Sequence, residues 1–148
     1  MPRWLPWTTV ALCVAGLAVA GYLTVEHFTS STTLACPETG IVNCQKVTTS
    51  AQSAVLGVPV AVLGLLFFVV LLPACLPAAW RTRGQVGVAL RWGRAGFALV
   101  GVGFVVYLLY TELFVLDAIC LWCTAVHVLT VALFAVIALG TAALDPVR

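Results

Sequence analysis

Four apolar runs constrain this chain more than anything else in it. They lie at roughly 5–23, 58–79, 95–115 and 119–143, and each is close to or above the ~20 residues that a helix needs to cross ~30 Å of hydrocarbon. A bilayer interior offers the backbone no water, so such a segment must satisfy its own N–H and C=O groups, as a helix does. Charged residues make up 8% of the chain, against ~25% in soluble domains, and they gather at the ends of the runs. The expected fold is an all-α membrane protein, a four-transmembrane-helix bundle in one domain covering 1–148. The outer loop and the turns leave too little chain for a soluble domain. A net charge of +2, with no basic run, gives no reason to expect nucleic acid as a partner.

The arginines orient the bundle. Arg3, the connection carrying Arg81, Arg83, Arg91 and Arg94, and Arg148 fall on one side of a four-span topology, and only Lys46 falls on the other. The positive-inside bias places both termini in the cytoplasm, of what is expected to be a bacterial plasma membrane. The loop from about His27 to Val55 and the short turn around Asp117 then face outward. The first run also resembles a signal peptide, with Arg3 before it and Ala18-Val19-Ala20 as a cleavage-like site. It is longer than the usual h-region, so a span is the expected reading.

Six cysteines sort by depth and side. Cys13 and Cys75 fall within the first and second spans, where a free cysteine acts as a small buried hydrophobe. Cys36 and Cys44 lie in the outer loop, in an oxidising setting where a stapling disulfide can persist. Cys120 and Cys123, in Cys120-Leu-Trp-Cys123, begin the fourth span. At i and i+3 they share a helix face, with Cys123 about 4.5 Å deeper along the axis. The unpaired N–H groups of a first helical turn favour a thiolate there. Two pairs near one surface can also supply four thiolates to zinc, although C-x7-C is wider than the tight spacing of structural zinc sites. No metal is expected. A relay through mixed disulfides fits the two pairs better: the loop pair meets a soluble protein and the membrane pair a lipid-soluble acceptor.

The ordered set Cys36-(x7)-Cys44, Cys44-Gln-Lys-Val-Thr-Thr-Ser50, Gly57-Val-Pro59 and Cys120-Leu-Trp-Cys123 resembles the vitamin K epoxide reductase family, specifically its bacterial disulfide-forming homologues without a fused thioredoxin-like domain. The resemblance spans about Cys36 to His127. It implies four helices around a quinone pocket (menaquinone or ubiquinone class), capped by the outer loop and a short half-helix. It also implies a separate thioredoxin-like or DsbA-like partner outside the cytoplasm. Cys36, Cys44, Cys120 and Cys123 become the catalytic set, the partner attacking Cys36, Cys44 attacking Cys120, and Cys123 facing the quinone. Ser50 matches a family serine near the pocket, although by residue type alone it is a turn or cap serine. Gly57 and Pro59 match the turn into the second span.

Vertebrate members carry a tyrosine four residues after the second C-x-x-C cysteine. His127 stands there in this chain, so epoxide reduction is not expected. His127 is one turn beyond Cys123, placed to bond a quinone oxygen or a neighbouring helix. Trp122 can pack on a quinone ring or serve as an interfacial tryptophan. Glu26, His27 and Glu112, near span ends, read as solvated or snorkelling groups. Two other readings stay open. One is a DsbB-like oxidase, which would place its C-x-x-C in the first outer loop; the other is a structural or metal-binding membrane protein whose cysteines are staples or ligands.

Overall fold

The structure, a computed structural model, describes residues 2–29 and 35–144. Arg148, one of the arginines used for orientation, lies outside the described residues. The chain is helical almost throughout: α1 (Trp4–Thr29), a short α2 (Cys44–Thr48), α3 (Val60–Cys75), α4 (Pro77–Arg81), α5 (Gly84–Tyr110) and α6 (Leu121–Leu144). Three helical stretches are long and apolar enough to cross a membrane: Trp4–Thr29, Gly84–Val115 and Leu121–Leu144. The apolar α3 has 16 residues, about 24 Å at the helical rise. α1 packs on α3 and α6, and α5 packs on α6 and, more lightly, on α3.

Close packing inside the bundle depends on small residues. Gly16 of α1 leaves the space that the Phe68 ring of α3 occupies, and Gly101 of α5 does the same for Phe67. Phe68, Leu71, Leu133 and Ile137 form the core, with Cys13 and Cys75 buried among them as small hydrophobes. The outer surface is equally apolar: Val100, Phe114 and Leu139 are 68%, 72% and 64% exposed. Water would penalise such a surface on every side, whereas lipid does not. Threonine hydroxyls on these helices donate to carbonyls three or four residues back, as Thr9 does to Pro6, Thr24 to Ala20 and Thr130 to Val126. These are the features of an integral membrane protein.

Three expectations need correction. The second apolar run is not one helix to residue 79. Pro73 sits in the last turn of α3, where it removes a donor, and Leu76 takes ψ 147° ahead of Pro77, which opens α4. The third helix begins at Gly84 instead of about residue 95, so Arg91 and Arg94 are helical residues and not loop charges. Arg91 Nη1 donates to Leu144 O at 2.9 Å and Arg94 Nη1 to Ala74 O at 2.7 Å, each reaching a carbonyl at the end of a neighbouring helix. The Arg94 guanidinium is buried 3.3 Å above the Trp80 ring. The all-α description also omits a hairpin. β1 (Ala54–Val55) pairs antiparallel with β2 (Val58–Pro59) around Leu56 and Gly57, whose φ values of 52° and 80° are those a two-residue turn needs.

Replacing Gly16 by alanine puts a methyl group into the Phe68 ring. It should cost about 1–3 kcal/mol and lower the melting temperature in detergent. Gly93 meets nothing within 4 Å, and Gly93→Ala, the control, should not lower it.

Candidate dithiol and cavity site

The outer segment is organised by local hydrogen bonds. Asn43 caps α2, its side chain accepting from the Lys46 N–H at 2.8 Å, and this fixes Cys44 as the first helical residue. Cys44 is joined to Cys36 by a disulfide, their Cα atoms 6.1 Å apart. Cys36 keeps part of its surface exposed, whereas Cys44 is 0% exposed. Of the two, only Cys36 has surface open to solvent.

A parallel bridge then ties this segment to the start of α6. Ile119 N–H donates to Ile41 O at 2.8 Å, and Asn43 N–H donates to Ile119 O at 3.0 Å. The next residue on each strand is a cysteine, Cys44 on one and Cys120 on the other. Both are completely buried in one cluster with Val47 and Ala118, against which Cys36, Trp122 and Cys123 pack. All four expected catalytic cysteines thus meet in one place. Among the described residues no group of three or more His, Cys, Asp or Glu side chains could hold a metal ion, and the disulfide occupies two of the four thiols a zinc site would use.

Cys120 is not on the helix beside Cys123, as the i, i+3 spacing suggested. It is the capping residue just before α6: its carbonyl accepts the Thr124 N–H at 2.9 Å and its Sγ accepts the Cys123 N–H at 3.3 Å. Nor is Cys120 the water-facing member of the pair, because the loop covers it. Cys123 lines a cavity and Cys120 does not.

That cavity, of about 290 Å³, lies between α1, α3, α5 and α6 beneath α2, at the small end of the range for ligand sites. Phe67, Phe97 and Phe104 supply flat walls, Phe67 and Phe97 being stacked with centroids 5.3 Å apart. His127 lines it one turn beyond Cys123 and is 5% exposed, and among the described residues its Nδ1 has no hydrogen-bond partner. Ser50 also lines it, half-buried. Its hydroxyl donates to Val47 O at 2.8 Å and caps no helix, although the residue occupies the cap position of the turn Ala51–Ser53. Trp122 is not among the lining residues. It braces the loop instead, donating from Nε1 to Ala35 O at 3.0 Å and packing on Tyr22 at 4.9 Å.

Glu112 is the cavity residue that sequence reasoning misplaced. It is 3% exposed, lines the cavity and has an Oε2 without a hydrogen-bond partner among the described residues. It is neither snorkelling nor solvated, because α5 ends in a π-helical turn, Thr111–Val115, that carries it. The available signal was its type, an acid in an otherwise apolar span.

Compared with family models, the chain matches that of the vitamin K epoxide reductase family over residues 7–138. No curated protein matches it.

If the bridge positions the two pairs, Cys44 and Cys120 should crosslink under mild oxidation in a Cys36→Ser, Cys123→Ser double variant, with mass spectrometry identifying the joined peptides. Adding Ile119→Pro removes the donor to Ile41 O and should sharply reduce that yield.

Proposed function

The chain belongs to the vitamin K epoxide reductase family, whose members are oxidoreductases that in general depend on quinone; from this premise we propose that it oxidises thiols and regenerates disulfides in a thioredoxin-like, DsbA-like protein. α3 continued by α4 serves as the fourth span. Both termini face the cytoplasm of a bacterial plasma membrane and the cysteine pairs face outward, consistent with Arg3, Arg81 and Arg83 lying opposite Lys46. The observation that carries the reading is that two cysteine pairs share one buried cluster whose innermost thiol, Cys123, opens on an apolar cavity.

Four sulfurs perform the exchange. A partner thiolate attacks Cys36 and releases Cys44; the partner's second thiol then resolves the mixed disulfide, leaving the partner oxidised and Cys36 and Cys44 as thiols. Cys44 attacks Cys120 in a Cys120–Cys123 disulfide, and Cys123 leaves as the thiolate. Cys36 next attacks Cys44, which restores the loop disulfide and frees Cys120. The C-x-x-C pair then holds two electrons, and its disulfide recloses as they pass into the cavity. At each step a disulfide is exchanged for a thiolate, so the chemistry needs only reach and a good leaving group. The helix-capping place of Cys120 favours its thiolate as a leaving group when Cys36 attacks.

The cavity residues fit a quinone of menaquinone or ubiquinone class. Aromatic faces suit a flat ring, and the unpartnered Nδ1 of His127 suits a ring oxygen. When bound, a quinone supplies an acceptor for two electrons and two protons. Ser50, whose hydroxyl is turned to Val47 O, shapes the rim. Trp122 holds the loop over the thiols, away from the ring itself.

Purified protein supplied with quinone and a reduced DsbA-like protein should form quinol, and Cys123→Ala should abolish this; normal turnover by the variant would sink the mechanism. Cys36→Ala should fail to accumulate a mixed disulfide with the partner. Trapping in that variant would move the point of attack to Cys44.

A further inference from the structure

Glu112 has no part in the four-sulfur exchange, yet its surroundings demand an explanation. An ionisable side chain within a membrane span is costly, and it is ordinarily paired or functional. Among the described residues no Lys or Arg lines the cavity that Glu112 faces. One oxygen, Oε2, has no hydrogen-bond partner among the described residues.

The local backbone is built to hold this arrangement. A π-helical turn re-aims side chains relative to the α-helix before it, and such turns are frequent at functional sites. Here it spans Thr111–Val115. Leu116 N–H closes on Thr111 O at 3.0 Å and Ala118 N–H on Glu112 O at 3.0 Å. Glu112 is therefore fastened to the tract that leads into Cys120, and Cys123 and His127 line the same cavity.

We propose that Glu112 carries protons between the C-x-x-C thiols and the acceptor bound in the cavity. The inference rests on the reading of that cavity as the acceptor site. In each cycle two S–H bonds break, one S–S bond forms between Cys120 and Cys123, and two O–H bonds form on the acceptor. Glu112 takes one proton from the pair and delivers it to an acceptor oxygen, ending as it began. His127, on the same cavity, is placed for the second.

The first test needs no acceptor. Infrared difference spectra between the oxidised and chemically reduced protein should contain a carboxylic C=O band that is missing in Glu112→Gln and displaced in Glu112→Asp. Identical spectra in all three would overturn the proposal. In the second test Glu112→Gln should slow quinol formation by about 10²-fold or more, the usual scale of general acid–base catalysis, while exchange between partner and Cys36 continues. Glu112→Asp should recover part of the rate, because it keeps the acid; a packing role would instead favour the isosteric glutamine. Wild-type turnover by Glu112→Gln would also overturn the proposal. Wild-type protein that displays the carboxyl band but makes no quinol would refute the acceptor reading and still support proton exchange between Glu112 and the thiols.

Discussion

Two backbone hydrogen bonds, Ile119 N–H to Ile41 O and Asn43 N–H to Ile119 O, fix the register on which the rest of the site depends. Each contributes only about 0.5–1.5 kcal/mol net. Their importance lies in alignment, because they hold the residue before Cys44 against the residue before Cys120. Other contacts share the load. The Asn43 cap starts α2 at Cys44, the disulfide ties the loop to that helix, and Trp122 holds Ala35. The loop is thus attached to the bundle by main-chain pairing together with the buried cluster of Cys44, Val47, Ala118 and Cys120, while Pro37, Glu38 and Gly40 stay exposed.

The two ends of the bundle treat buried charge differently. At the Arg94 end the guanidinium lies over Trp80 and donates to the last carbonyls of α3, so a cation offsets the negative end of a helix. At the cysteine end Glu112 and His127 face a cavity and each leaves a polar atom unpaired. Burying a polar atom without a partner costs free energy. The bundle tolerates that cost beside its thiols, where a ligand or a proton can supply the missing partner.

Much of the site could be read from the sequence. Apolar length identified a membrane protein, the paired cysteines marked the four that meet in one cluster, and His127 was placed near Cys123 by the one-turn spacing. What could not be read was long-range or hidden in local geometry. No periodicity reveals that Ile41–Asn43 pairs with Ile119, because a two-bond bridge leaves no pattern. Arginine inside a helix looks like a loop charge until a carbonyl and a ring are found for it, which misplaced the start of α5. Glu112 looked like a span-end residue because a π-helical turn is invisible in composition. Trp122 was read as a ring contact or an interfacial tryptophan, and neither reading foresaw that its N–H donates to a carbonyl 87 residues away.

The burial of Cys44 and Cys120 has a further consequence. Neither sulfur presents any surface, whereas the aqueous compartment contains small thiols and disulfides able to scramble any bridge they can touch. In the proposed relay the two inner sulfurs are insulated as a wire is insulated, and the terminals are Cys36 toward the partner and Cys123 toward the cavity. Selectivity for a protein partner is then enforced by access, without specific recognition at the inner thiols. A short circuit to a small-molecule thiol would first require the loop to lift away from α6.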